Sequence, residues 1–241
     1  MPKLSLSEKN FSRMRQIQKN DTPPQYLTDW ICRQQSVGHG IKYKNFDYTT
    51  RLRRDLMKEQ YYLCAYTGER LDDSNSHIEH LKPRSECKRE VENQGRSYGD
   101  ISGDDLDYHN MVAALTVEGS PQYGADEKGD WHVPSLFVSP LHSDCEESFR
   151  FNTEGKIMRH PQAPRPEAVQ KTIEQLRLDD ANLTEDREGT ILGLIFKEDA
   201  DELLPTPILE LIYRGLKQPD DDGKLNRFSF VVVSVLEDVL K

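Results

Sequence analysis

The chain has 241 residues, of which 35% are hydrophobic and 31% are charged, and its formal net charge at pH 7 is −10. This length supports a real hydrophobic core in one large or two small domains, which excludes a miniprotein that depends on disulfides for stability. No stretch is long and apolar enough to span a bilayer, and the first residues lack the apolar centre of a signal peptide. We therefore expect a polar, globular, cytoplasmic protein without a membrane partner.

The charge is distributed unevenly along the chain. Residues 1–98 contain 18 Lys and Arg against 13 Asp and Glu, a net charge of +5, whereas residues 99–241 contain 14 against 29, a net charge of −15. The overall acidity argues against nucleic acid, because Lys and Arg supply most of the affinity for phosphates. The asymmetry indicates that the two parts meet different partners, unless the acidic loops simply keep the chain soluble.

The N-terminal half is predicted to combine an irregular arm with helices. Residues 1–48 contain prolines, glycines and scattered aromatic residues, which indicates an arm with one short helix near residues 26–34. From Thr49 a helical pattern runs through RLRRDLMKEQYYLC, with Leu52 and Leu56 on one side and basic residues on the other. Residues 86–107 are polar and contain glycines, so we expect a loop there.

The second half is predicted to mix short strands with helices. YHNMVAAL is a strand end or a helix start, ADEK lies in a short helix between turns, FVSP is a strand, and FRFN with GKIMR forms a hairpin. Beyond a linker at residues 161–166, EAVQKTIEQLRL and ADELLPTPILELIYRGL have helical periodicity, and the tail KLNRFSFVVVSVLEDVLK fits either a strand or a helix. These elements predict an α+β fold with an N-terminal arm (1–48), a compact core (49–160) and a helical, acidic annex (161–241).

The segment CAYTGERLDDSNSHIEHLKPRS, residues 64–85, raises the question of a metal site. This segment and the residues just after it contain four side chains of types that bind zinc: Cys64, His77, His80 and Cys87. Structural zinc sites usually draw on short Cys-x-x-Cys pairs, but Thr67 takes the second place of that pair, and no second pair follows. We therefore expect no structural zinc, and we expect Cys64 to be a buried thiol.

Three residues of the sequence favour a catalytic site instead. Hydrolysis of a phosphodiester with one divalent ion needs a metal ligand, a neutral histidine that takes a proton from water, and a polar group that orients this histidine. Glu79, His80 and Asn110 can fill these roles in that order. Taken singly, an ion pair at the surface explains Glu79 and His80, and a cap or turn explains Asn110. Their order along the chain favours catalysis.

In this order and context the chain resembles the HNH endonuclease family. IEHLKPRS, with CAYTG before it and SPLHSDCEESFRFNTEGKI after it, looks like PtuB, the HNH subunit of Septu-type anti-phage systems, which also occurs beside retrons. The resemblance covers about residues 49–190. It implies a ββα-metal core in which His80 is the general base, Glu79 a metal ligand, and Asn110 the residue that orients the base or supports the metal.

The third metal ligand departs from the family pattern. Many HNH proteins carry Cys-Asn-x-x-Lys on the helix, where this chain has GADEK. The substitutes, in order of preference, are Asp126, His142 and His109. Carboxylate and amide oxygens suit hard cations, so the expected ion is Mg²⁺ or Mn²⁺.

Basic residues around the motif suit contacts to a DNA backbone, which position the substrate without reading its sequence. The candidates lie on the helix that begins at Thr49, next to His80, and near the third-ligand position: Arg51, Arg54, Lys58, Lys82, Arg84 and Lys128. The alternative is a solvated face of mixed charge, because Glu86, Glu90 and Glu92 lie among these residues.

The resemblance also implies partners. A PtuA-like ATPase would control a metal-dependent DNA endonuclease, and retron RNA or DNA could reach it through the complex. The annex is the expected docking surface, through Ile208, Leu209, Ile212 and Tyr213, unless these residues pack on the core. Two other functions stay open: a non-catalytic nucleic-acid or protein adaptor with a degenerate HNH motif, and an HNH-type RNase toxin.

Overall fold

The computed structural model describes residues 16–38, 40–100, 103–119, 122–198 and 202–241 and has a mixed α+β fold. Its helices are α1 (Gln25–Val37), α2 (Thr49–Glu59), α3 (Arg84–Asn93), α4 (Ala125–Lys128), α5 (Cys145–Ser148), α6 (Pro166–Gln175), α7 (Ala181–Ile195), α8 (Thr206–Leu216) and α9 (Ser229–Val239). Its strands are β1 (Ser76–His80), β2 (Met111–Leu115), β3 (Phe149–Phe151) and β4 (Ile157–Arg159). None of the helices in these ranges is long and apolar enough to cross a membrane.

The strands form two antiparallel pairs, β1 with β2 and β3 with β4. In the first pair, Ser76 faces Leu115 and His80 faces Met111. Helix α2 packs on this pair, and just after the helix the Gln60 amide accepts a hydrogen bond from the Ala113 N–H (2.7 Å) and donates one to its carbonyl (2.8 Å). The Gln60 side chain thereby pairs the edge of β2 as a neighbouring strand would, and it holds the sheet rigidly on α2.

The buried apolar side chains form one cluster, which reaches from Ile17 in the predicted arm to Leu236 in α9. Helix α9 packs against β3, and its Phe230 also covers the CAYTG turn. Gly68 in that turn has φ +80°, and a Cβ there would lie 2.6 Å from the Phe230 ring, so both the backbone and the packing require glycine. The core therefore crosses the predicted boundaries at residues 48 and 160. The first 15 residues of the arm lie outside the described residues.

An ion cluster also fastens the annex to this turn. The Arg227 guanidinium donates to both carboxylate oxygens of Glu69 at 2.6 Å and to Asp186 at 2.6 Å. Bidentate pairs of this kind fix orientation as well as distance. The turn before β1 is consequently held by residues of the C-terminal third of the chain.

Several predicted elements are confirmed, two differ, and the tail, for which a strand and a helix were both open, is a helix. The short helix of the arm is α1, the hairpin is β3 with β4, and ADEK is α4. The predicted loop over residues 86–107 is wrong at its start: α3 extends to Asn93, because Cys87 and Val91, one turn apart, are both buried. FVSP is not a strand. The tail forms α9 despite its β-branched residues, because this helix is buried on most of its circumference and tertiary packing overrides propensity.

Candidate active site

The β1–β2 pair brings the predicted catalytic residues to one end of the sheet. Glu79 and His80 close β1, and Asn110 immediately precedes β2. The strand pairing places His80 opposite Met111, the residue next to Asn110. The carbonyl of Asn110 also accepts the Leu81 N–H at 2.9 Å, which extends the ladder by one bond beyond the strands. The chain between them, residues 81–109, leaves the sheet and returns to it.

The imidazole of His80 is oriented by a backbone carbonyl. Its side chain is buried, and Nε2 lies 3.0 Å from the carbonyl oxygen of Asp105. Because Nε2 faces an acceptor, it carries the ring proton, and Nδ1 is left as the proton acceptor. No described residue hydrogen-bonds to Nδ1. The Tyr43 ring packs edge-on against the imidazole, with 4.6 Å between ring centroids.

The environment of His80 also sets its protonation state. Burial lowers the pKa of His80 to about 4, and the positive charge of Arg84 acts in the same direction, while the hydrogen bond to Asp105 opposes both. At neutral pH the ring is therefore uncharged, but a pKa this low makes it a weaker proton acceptor than a base whose pKa lies near the working pH. A neutral ring with a fixed tautomer is the arrangement that can accept a proton from water.

Asn110 braces the backbone around the base without touching the imidazole. Its amide oxygen accepts the Lys82 N–H at 2.7 Å, and its Nδ2 donates to the carbonyls of Lys82 and Asp104, both at 3.0 Å. Asp104 directly precedes Asp105, whose carbonyl holds Nε2 of His80. Asn110 thus holds the loop whose Asp105 carbonyl bonds to His80, and its predicted role in orienting the histidine stays a prediction.

Sequence reasoning missed Asp105 and Tyr43. The Asp105 side chain is fully buried, and its Oδ2 accepts hydrogen bonds from the Tyr43 N–H (2.9 Å) and from the Tyr98 hydroxyl. Through Asp105, the arm, the loop and the base are joined at one residue. The segment GDDLD gave no sign of this, because a run of acids beside a glycine is typical of an exposed loop. Tyr43 likewise had no local signal, since it reaches His80 only in the tertiary structure.

Glu79 is paired with the ammonium group of Lys128. Nζ lies 2.8 Å from Oε1, and it also donates to the carbonyl oxygen of His80 at 3.1 Å. The Lys128 side chain has no exposed surface, and that of Glu79 is 13% exposed. The Tyr66 hydroxyl donates to the same Oε1 at 3.4 Å. Burial raises the pKa of the Glu79 carboxyl above its ordinary value, whereas the Lys128 ammonium acts to lower it.

The three proposed third ligands each have other hydrogen-bond partners. Asp126 accepts the Val117 N–H at 2.6 Å. The His109 ring bonds to the Asn20 carbonyl at 3.2 Å, and the His142 ring bonds to the Arg165 guanidinium at 3.0 Å. Within the described ranges, no group of three His, Cys, Asp or Glu side chains is placed to hold a metal ion. The Glu79 carboxylate beside His80 already faces an ammonium group, and the Asp105 carboxylate, which also acts on His80, is bound through Oδ2 to the Tyr43 N–H and the Tyr98 hydroxyl. In this arrangement the donor set does not fit a hard divalent cation, which takes several oxygen ligands.

Most of the predicted DNA contacts have acidic partners. The Arg54 guanidinium grips Asp73 with contacts of 2.6 to 3.0 Å, and Lys58 lies 3.7 Å from Asp55. Lys82 pairs with Glu90 and Asp104. Lys128 is buried against Glu79 and is not a surface contact.

Two of the predicted contacts lie on aromatic rings instead of acids. The Arg51 guanidinium is 4.2 Å from the centroid of Tyr26, and that of Arg84 is 5.1 Å from Tyr43. Arg84 is exposed and stands beside the base, so it keeps a free positive charge there.

Comparisons with known proteins add no assignment: no protein-family model matches this chain, and no curated protein matches it.

Cys64, the expected buried thiol, is confirmed: it is 3% exposed, and its Sγ accepts the Leu115 N–H at 3.3 Å.

Proposed function

We propose that this chain is an HNH-type DNA endonuclease of the PtuB kind, with a ββα core made of β1, β2 and α4. The observation that carries the proposal is the state of His80: a buried, neutral imidazole whose Nε2 is fixed by a carbonyl and whose Nδ1 is left to accept a proton. A general base needs a ring nitrogen that is not already hydrogen-bonded, and Nδ1 meets this requirement among the described residues. The order of strand, loop, strand and short helix is in keeping with the resemblance of the sequence.

In this proposal, Nδ1 of His80 takes a proton from water as the water oxygen attacks the phosphorus. The bond from phosphorus to the leaving oxygen breaks, and the leaving oxygen takes a proton from solvent. Arg84, whose charge acts on His80, provides positive charge for the phosphate. Asn110 keeps the base in place through the loop. The ion expected from the sequence, Mg²⁺ or Mn²⁺, stays a prediction, and its ligation by Glu79 would require the carboxylate to leave Lys128.

The proposal includes an effector role in an anti-phage complex under a PtuA-like ATPase, with a retron as a further component. Of the predicted docking residues on α8, Leu209 is buried, whereas Ile208 is 44% exposed and its neighbour Leu211 is 70% exposed. Exposed apolar side chains in such a position suit a protein partner. Ile208→Asp with Leu211→Asp should abolish co-purification with the ATPase, while Val37→Asp on α1 should not.

The test of the nuclease is cleavage of supercoiled plasmid by the full chain, alone and with the ATPase, in Mg²⁺, Mn²⁺ or EDTA. Wild type should nick or cut the DNA, and His80→Ala should lose this activity. His160→Ala is the matched control, because this histidine directly follows β4, outside the β1–β2 pair, and has no predicted part in catalysis. A parallel RNA substrate separates a DNase from an RNase toxin. Equal activity of wild type and His80→Ala would refute the assignment of the base.

The ion pair of Glu79 and Lys128 favours a second function, the non-catalytic adaptor. A buried ammonium at 2.8 Å neutralises the carboxylate that the HNH mechanism assigns to the metal. An adaptor would bind nucleic acid or protein without cleaving either. Absence of cleavage by wild type under every ion condition, with and without the ATPase, would replace the nuclease with this function.

A further inference from the structure

A groove beside His80 is lined almost entirely by basic side chains. It has a volume of about 510 Å³ and lies between the arm, at residues 42–44, and α3 with the turn that follows it. Its lining residues are Lys42, Lys44, Arg84, Lys88, Glu92, Arg96, Ser97 and Tyr98. Five cationic side chains face one carboxylate, a local net charge of +4 in a chain whose net charge is −10. This concentration of one sign in a concave surface attracts anions.

The charges in this groove are largely free. Among the described residues, no acidic side chain pairs with Lys42, Lys44, Arg84 or Arg96. Lys88 lies 3.8 Å from Glu92, but both side chains are more than half exposed, and pairs of this type contribute little. By contrast, the cations on α2 that the sequence favoured include Arg54, which is already bound to Asp73. The groove, more than α2, therefore offers positive charges that can bind phosphates in place of small counterions.

The groove is a built surface, because its two walls are fixed to each other. The Ile41 N–H donates to the Gly99 carbonyl at 2.8 Å, and Asp105 binds both the Tyr43 N–H and the Tyr98 hydroxyl. The Lys42 side chain passes close to Gly99: a Cβ on residue 99 would lie 2.2 Å from Cε of Lys42. Glycine at this position lets the Lys42 side chain reach the ring of Tyr98, 5.2 Å away.

The groove is linked to the candidate active site through Arg84 and the Tyr43 ring. Arg84 lines the groove, and its guanidinium lies 5.1 Å from the centroid of the Tyr43 ring. That ring is in turn 4.6 Å from the imidazole of His80. Phosphates bound by Arg84 in the groove would therefore lie near the imidazole of His80.

We propose that this groove holds the sugar–phosphate backbone of the nucleic-acid strand that His80 cuts. The inference rests on the proposed function for the identity of the strand as substrate, while binding itself can be measured without cleavage. Cationic side chains without base-reading partners position a backbone independently of sequence. DNA and RNA share this chemistry.

The experiment measures binding of labelled duplex DNA, single-stranded DNA and RNA by fluorescence anisotropy in EDTA, from about 50 to 200 mM salt. The test variant replaces Lys42, Lys44 and Arg96 by Gln. The matched control replaces Lys156, Lys171 and Arg214 by Gln, which removes the same charge from ion-paired positions outside the groove and outside α2. Each neutralised phosphate contributes about 0.9 to the slope of log K against log salt for duplex DNA and about 0.7 for single strands. The groove variant should bind at least about tenfold more weakly, with a slope smaller by about 2 to 3, and the control should match wild type.

The outcomes separate the groove from the nuclease. Binding that depends on the groove and survives in His80→Ala, without cleavage by wild type, would support the groove and refute the nuclease. Cleavage by wild type and by the groove variant with equal efficiency and equal salt slopes would refute the groove and leave the nuclease standing. Absence of binding by wild type at about 50 mM salt would overturn the groove. Thermal unfolding of each variant shows that the fold is retained.

Discussion

Replacement of Lys128 by Met tests the buried ion pair beside the base. Methionine keeps most of the aliphatic volume but removes the ammonium that lies 2.8 Å from Glu79 and 3.1 Å from the His80 carbonyl. Loss of one partner of a buried pair typically costs about 3 to 5 kcal/mol, because the other charge is left without compensation. For a chain of this size, each kcal/mol lowers the midpoint of thermal unfolding by about 2 to 4 °C. We expect Lys128→Met to unfold roughly 6 to 20 °C below wild type.

The control is the double variant Glu79→Gln with Lys128→Met. It removes both charges, so part of the penalty should disappear, and the double variant should lose about 1 to 3 kcal/mol less stability than the sum of the two single losses. The assay is chemical or thermal unfolding of the four proteins, followed by circular dichroism. If the two single substitutions simply add in the double variant, the ion pair does not stabilise the fold, and the geometric argument against a metal at Glu79 loses its energetic basis.

Two further predictions concern pH and backbone conformation. The pKa of His80 is about 4 in the folded chain and about 6.5 when unfolded, so the unfolded state binds more protons between these values. As the pH drops from 6.5 to 4, His80 should therefore lower the free energy of unfolding by about 3 kcal/mol. The His80→Asn variant should lack this part of the pH dependence. Identical plots of unfolding free energy against pH for wild type and variant would contradict the prediction. Gly155 and Gly95 both have φ +72°, but only at Gly155 would a Cβ meet backbone atoms, the nearest being the Thr184 carbonyl oxygen at 2.3 Å. By urea unfolding, Gly95→Ala should lower the free energy of unfolding by about 1 to 2 kcal/mol, because of its positive φ alone. Gly155→Ala should lower it by about 1 to 3 kcal/mol more, because its Cβ would also clash. Equal losses would show that the neighbouring backbone moves away from the new Cβ without cost.

The sequence predicted those parts of the fold whose pattern is local. Helix α2 followed from the spacing of Leu52 and Leu56, and the β3–β4 hairpin from two short apolar segments around a glycine turn. Helix α3 escaped prediction because only Cys87 and Val91 carry its apolar face among polar neighbours. Two buried residues in ten do not distinguish a helix from a loop without knowledge of what covers them.

Within the site, too, the sequence predicted the features that depend on neighbouring residues and missed those that depend on tertiary contacts. Glu79 and His80 are adjacent in sequence, and their chemistry is visible in the motif. Lys128 was predicted as a DNA contact near the third-ligand position, which requires an exposed side chain. Its burial is decided by Glu79, a partner on another element, so the sequence alone assigned it to DNA. A charged side chain is expected at the surface unless a buried residue of opposite charge can pair with it.

The site and the groove share one anchor, Asp105. Its carbonyl holds Nε2 of His80, while its carboxylate holds the Tyr43 N–H and the Tyr98 hydroxyl. The arm that carries Lys42 is thus fixed by the same residue that fixes the base. A base must lie within hydrogen-bond reach of its water, and small displacements of the substrate cost much of the rate. Because both surfaces are attached to Asp105, one through its carbonyl and the other through its carboxylate, a backbone held in the groove as proposed would keep its position relative to His80, which is the geometric condition for the proposed cleavage.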